Sequence, residues 1–228
     1  MSSPSFSPPL ACTHCDTASR CRNDAYDIEA LRLEVLHELV MLARPAVAAT
    51  RLEELVESLD RHEPHNPALY VDIARCTARA CGGAQQVLQQ TVALVERARS
   101  LDDMSAEAAA EAAYQYARLG DYRKAMELYR QAGKLDESNA EAVAGTIYCQ
   151  LRTGAVEDAA AQLELFRMVQ ETIGRSAELA FLDALLAWRQ SRDVDAHLRA
   201  LDEARSLLKD ADPDVRGDLE RHFNVMVP

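Results

Sequence analysis

Between Ala106 and Ile173 the chain repeats itself at a fixed interval of 34 residues, pairing Tyr114 with Tyr148, Arg118 with Arg152, Gly120 with Gly154, Ala125 with Ala159 and Tyr129 with Leu163. A recurrence of that length marks one supersecondary unit used again and again. Such a unit cannot bury its apolar face alone, so neighbouring copies must stack. The residue types fit two antiparallel helices per unit. Alanines at Ala113, Ala125 and Ala132 let helices cross closely, while Tyr116 and Tyr129 fill the spaces between. Gly120 allows the tight turn joining the pair. Helix breakers are scarce: of 8 prolines, four are Pro4, Pro8, Pro9 and Pro228, near the ends of the chain. The pattern therefore predicts an all-α fold without strands.

Helix punctuation extends the array in both directions. Asn66-Pro67 reads as an N-cap followed by proline at the first helical position. The unit it opens has helices over 68–80 and 84–101 around Cys81-Gly82-Gly83, with Leu88, Val92 and Val95 at helical spacing. Ser105 is a candidate cap, and Ser138 stands three residues before Glu141 in a capping-box arrangement. A preceding hairpin spans roughly Asp27 to Glu63 and turns near Pro45. A following one runs from Ser176 to about Lys209, with Gly174 and Ser176 as stop and start signals. About five hairpins result, placing the solenoid in residues 24–211 between a disordered Ser/Pro/Cys-containing tail (1–23) and a C-terminal segment (212–228) able to form a short capping helix.

Charge narrows the function. With 25 Lys and Arg against 37 Asp and Glu, the formal charge of −12 repels phosphate backbones and anionic lipid surfaces. Neither nucleic-acid binding nor membrane insertion is expected. The N-terminus has no signal-peptide pattern, and no apolar run reaches the roughly 18 residues of a membrane span. Six cysteines in an intracellular chain are expected as free thiols. Cys12, Cys15 and Cys21 form the one metal-like spacing, but only half a zinc site, in a tail with little apolar support.

Other chemistry-like residues read as structure. Gly174-Arg175-Ser176 lacks the second glycine and preceding strand of a nucleophile elbow. His62-Glu63-Pro64-His65 has the wrong histidine spacing and a helix-breaking proline for a zinc-protease helix. Cys76, Cys81 and Cys149 serve as small apolar fillers, and Trp188 falls at helical spacing from Phe181, Leu185 and Leu186, as packing between repeats requires. No enzyme and no cofactor is expected.

The segment from Tyr116 to Ala132, with Gly120, Ala125, Tyr129 and Ala132 in place, resembles a tetratricopeptide repeat. It departs at Ala109, where the family usually has tryptophan, and at Glu137, where it usually has proline. The resemblance implies a right-handed α-solenoid whose first helices line a concave groove. It places Tyr114, Arg118, Tyr148 and Arg152 in that groove as candidate partner-binding residues, which then should be partly exposed. Equally open is a packing role, with tyrosines against the next repeat and arginines paired to nearby acids. Ala110, Tyr114, Ala144 and Tyr148 stand where carboxylate-holding co-chaperones of this kind carry Lys and Asn, which argues against a co-chaperone.

A closer resemblance comes from Gly154-Ala155-Val156-Glu157-Asp158-Ala159, from Ile173 to Leu179, from Asp27 to Leu33, from Leu59 to Pro67 and from Leu88 to Ala98. These segments, collinear between about Asp24 and Ala187, are similar to the interior of the tetratricopeptide repeat protein 21 family, the 139-kDa-class subunits of intraflagellar transport complex A. The resemblance implies a fragment or short relative of a longer, non-enzymatic scaffold. Its partners would be other complex A subunits and ciliary cargo, its place the cilium or flagellum and the basal body, and its task retrograde transport and cilium assembly. The alternative is a free-standing adaptor that captures a short peptide in the groove.

Overall fold

The computed structural model describes the backbone of residues 18–170 and 177–208 and the side chains of 27–168 and 177–207. Among the described residues there are ten α-helices and no strand: α1 (Ala18–Val40), α2 (Pro45–His62), α3 (Pro67–Ala80), α4 (Gln85–Leu101), α5 (Ala106–Arg118), α6 (Tyr122–Leu135), α7 (Ala140–Thr153), α8 (Val156–Gln170), α9 (Ala177–Ser191) and α10 (Val194–Leu208). They pair in chain order as five hairpins. The described part of α1 runs from Ala18. Gly174, Arg175 and Ser176 lie outside the described residues.

The chain forms two compact units, divided between Pro64 and His65. The first is the α1–α2 hairpin, held by Leu52, Leu55 and Leu59, all with no solvent exposure. Arg44 closes its turn by donating from Nε and Nη2 to the two Glu38 carboxylate oxygens, both at 2.7 Å. The second unit carries the other four hairpins. Within it α3, α5, α7 and α9 pack successively against one another, as stacked repeats require.

Every hairpin turn contains a left-handed residue: Ala43 (φ 50°), Gly82 (61°), Gly120 (86°), Gly154 (90°) and Arg192 (55°). Glycine adopts this conformation without strain, whereas a residue with a Cβ is strained there by roughly 1–2 kcal/mol. Ala43→Gly is therefore expected to stabilise the first unit by up to about 1 kcal/mol, the gain reduced by glycine's larger unfolded-state entropy. Denaturant unfolding of the variant checks this; a fall in stability would show that the Ala43 backbone is unstrained.

Asn66 accepts from the Leu69 amide at 3.3 Å, and Ser105 from that of Ala108 at 3.1 Å, as expected of both caps. The third cap is corrected. Asn139, not Ser138, starts α7, its Oδ1 accepting from the Ala142 amide at 2.9 Å. Ser138 is turned the other way, its hydroxyl donating to Asp136 Oδ1 at 2.6 Å. That bond and the Ser138 amide hold the Asp136 carboxyl below its usual range. The three alanines expected at crossings, Ala113, Ala125 and Ala132, are fully buried, and so is Ala159, the repeat counterpart of Ala125.

Candidate interaction surface

The first helices of the second unit carry the candidate residues. Tyr114 and Tyr148 occur at equivalent places on α5 and α7, but are only 7% and 8% exposed, which corrects the expectation of a solvent-facing tyrosine strip. Packing between repeats is the cause. The Tyr148 ring meets Tyr122 edge-on at 6.2 Å and lies 6.3 Å from Phe181 of α9. Burial raises the Tyr148 hydroxyl well above its ordinary range, against the opposing charge of Arg152.

The two arginines remain half-buried and differ in what they hold. Arg118 donates through its two terminal nitrogens to the backbone carbonyls of Ala78 and Gly82, at the end of α3 and the turn beyond it. It thereby caps carbonyls that the preceding helix leaves open. Arg152 donates to the Tyr148 hydroxyl at 3.2 Å and lies 4.8 Å from the Tyr122 ring centroid. The ladder is thus part packing and part polar surface.

A charged network missed in the sequence joins α3 to α5. Arg75 donates from Nε to Glu111 at 3.1 Å and from Nη2 to Glu107 at 2.6 Å, while Gln115 donates to the other Glu111 oxygen at 2.8 Å. Glu111 is 4% exposed and Gln115 fully buried, so the carboxylate depends on these donors. Desolvation is the largest single influence on Arg75 and lowers its pKa, but the two carboxylates together outweigh it and hold the guanidinium above its ordinary range. A concave space of about 350 Å³ opens beside the network, lined by residues of α3, α5, the α6–α7 turn and the start of α7, including Arg79, Asp136 and Glu141. The equal helix period hides this network, because Arg75 has no basic counterpart 34 residues on.

At the far side of α7, the half-buried Glu178 on the first turn of α9 has its carboxyl pushed up from 4.5 to about 7, by burial first and by the Glu141 charge second. The folded chain holds this proton more tightly than the unfolded one. Its contribution to stability is complete below the ordinary carboxylate range and is lost as pH rises from about 4.5 through 7. Glu178→Gln is expected to raise the melting temperature more at pH 8 than at pH 4. An equal change at both values would show that Glu178 ionises as an ordinary carboxylate.

Among the described residues the cysteines form no reactive centre. Burial pushes the Cys149 thiol up to about 12, and the Cys81 thiol donates to the Ala78 carbonyl at 3.2 Å. Cys76 is half-buried. Cys12 and Cys15 lie outside the described residues, as does the Cys21 side chain. Among the described residues no group of three or more His, Cys, Asp or Glu side chains is placed to hold a metal ion. No described helix is long and apolar enough to cross a membrane. Trp188 packs against His197, with ring centroids 5.2 Å apart, and His197 Nδ1 is 3.0 Å from the Ala184 carbonyl.

Stacked helical hairpins, each closed by a left-handed turn and packed through alanine crossings, define a helical-repeat protein of the tetratricopeptide class. Two solved structures share this fold over most of the chain. One, from Podosopora anserina and described as a kinesin light chain with nearly identical TPR-like repeats, aligns with a TM-score of 0.56 at 17% identity, covering 85% of this chain and 97% of that one. A point variant of the same protein gives 0.58, also at 17% identity, covering 86% of this chain and 98% of that one. The sequence places the chain more narrowly. Residues 50–211 match the tetratricopeptide repeat protein 21 second ARM domain, and the chain belongs to that family. It is 36% identical over 189 residues to human tetratricopeptide repeat protein 21B and 39% identical over 189 residues to the mouse protein, in each case 82% of this chain. Mouse tetratricopeptide repeat protein 21A is 34% identical over 203 residues, 89% of this chain. In all three the match spans 14% of the relative's length.

Proposed function

We propose that the chain is a non-catalytic interaction scaffold working within intraflagellar transport complex A, in retrograde transport and cilium assembly, at the cilium or flagellum and the basal body. The observation that carries the reading is the family match over residues 50–211, which includes all four hairpins of the second unit. Stacked repeats suit the task. Each hairpin adds a rigid strip of surface, so many weak contacts are presented in fixed register. The partners are other complex A subunits, with ciliary cargo as a further class.

The test is affinity purification of the tagged chain from ciliated cells, with mass spectrometry of what is recovered. Stoichiometric complex A subunits are expected. Recovery of the chain with one exchangeable peptide-bearing partner, and no complex A subunits, would overturn the reading in favour of a free-standing adaptor.

A further inference from the structure

The pair Arg118 and Arg152 belongs to a longer column. Each is the thirteenth residue of its helix, as is Arg79 of α3, and Arg189 stands likewise in the last turn of α9. All four first helices of the second unit therefore carry arginine in the last turn, and all four residues are half-buried. Arginine in a last helical turn favours the helix dipole, which explains one such residue but not a preference for arginine over lysine in four.

The surroundings of the column are unusual for a chain with a formal charge of −12. Arg75, Arg99 and Arg167, equally half-buried, each hold a carboxylate. Arg118, Arg152 and Arg189 meet none among the described residues. Arg118 faces backbone carbonyls, Arg152 a tyrosine hydroxyl, and the buried Arg189 Nε has no hydrogen-bond partner. Guanidinium groups that meet no carboxylate among the described residues of an acid-rich chain are suited to bidentate contact with an incoming carboxylate.

We infer that this column, resting on the scaffold reading above, is a docking strip for an extended acidic segment of a protein partner, laid across the C-terminal ends of α3, α5, α7 and α9. Helices in contact lie about 8–10 Å apart, and an extended chain advances about 3.3 Å per residue. One acidic side chain in every three therefore meets successive arginines. Arg152 and Arg189 are the principal contacts, since Arg118 is already engaged with the α3–α4 turn. The aromatic rings beside them, Tyr122 and Tyr148 at Arg152, fix the direction of the guanidinium planes.

Fluorescence anisotropy of the full chain tests this, with a labelled peptide carrying glutamate at every third position. Control probes are the same peptide with lysine for glutamate, and a single-stranded RNA. The glutamate peptide is expected to bind, with affinity falling as salt rises, and the lysine peptide to remain free. Arg152→Gln with Arg189→Gln should weaken binding roughly tenfold or more at unchanged helical content and melting temperature. Arg152→Lys with Arg189→Lys should retain part of the affinity, and Arg123→Gln with Arg130→Gln, both exposed on α6, should change nothing. The proposal is overturned if the glutamate peptide fails to bind at low salt, if RNA binds as tightly, or if the glutamine pair leaves affinity intact. Unfolding of both the glutamine and the lysine pairs would equally overturn it, by making the column structural. None of these results bears on recovery of complex A subunits, so failure of the strip is distinguishable from failure of the scaffold reading.

Discussion

Arg75→Met is expected to destabilise the second unit by about 3–5 kcal/mol, because it strands the Glu111 carboxylate in a site with almost no access to water. The cost arises mainly from the carboxylate left behind, not from loss of a favourable pair. Glu107 and the Arg75 side chain itself, 61% and 23% exposed, contribute less, since water screens them. The same reasoning predicts strong coupling. Arg75→Met combined with Glu111→Leu should recover most of the loss, as replacing both members of a buried pair by apolar groups is often nearly neutral. Equilibrium urea unfolding of the two single variants and the double variant checks both statements. Additive losses would show that Glu111 is solvated in the folded protein.

The second large effect lies at Gly145, in the middle of α7. A Cβ at this position would fall on the ring of Tyr129, overlapping three of its carbon atoms. Tyr129 is 4% exposed, and burial first of all raises its hydroxyl well above the ordinary range, so the ring has no open direction in which to retreat. Gly145→Ala would gain about 0.5–1 kcal/mol of helix propensity at an ordinary interior site. Here overpacking is expected to exceed that gain and leave a net loss of about 1–3 kcal/mol, with Gly145→Leu at the upper end or beyond. A thermal melt monitored by circular dichroism decides the sign. Stabilisation by alanine would mean that Tyr129 and α7 are farther apart than the structure places them. Tyr129→Ala should cost about 3–5 kcal/mol alone, but should make Gly145→Ala harmless or favourable.

Much of this architecture was legible in the residues. Gly120 and Gly154 take the turn conformation that their spacing implied, and Asn66 and Ser105 cap the helices they precede. These are local signals, in which a residue's own backbone or the next turn decides the outcome. The Ser138 expectation failed for a local reason too. Two adjacent residues were able to cap α7, and the Asp136 carboxylate captured the serine hydroxyl, leaving Asn139 for the helix.

What depends on contacts between repeats was not legible. The Arg75–Glu111 network joins residues 36 apart through the angle at which α3 meets α5, and no pattern along one helix encodes that angle. Burial of Tyr114 and Tyr148 likewise follows from the neighbouring repeat, since a tyrosine at a groove position is exposed or covered according to what the next helix presents. Arg79 and Arg189 escaped a search at a strict period of 34 because their units differ in length. Each stands, like Arg118 and Arg152, in the last turn of its helix. Gly145 and Glu111 are each the sixth residue of their helices, so one position holds a charge in one repeat and admits a ring in the next.

As proposed above, these repeats act as part of a larger assembly. Sedimentation of the endogenously tagged chain from ciliated cells, on a density gradient, tests it most directly. The chain is expected to travel in one large particle together with complex A subunits, with Gly145→Leu shifting it out of that particle and Ala43→Gly leaving it in place. A chain that sediments alone at the rate of a small monomer, under conditions in which complex A stays intact, would contradict it.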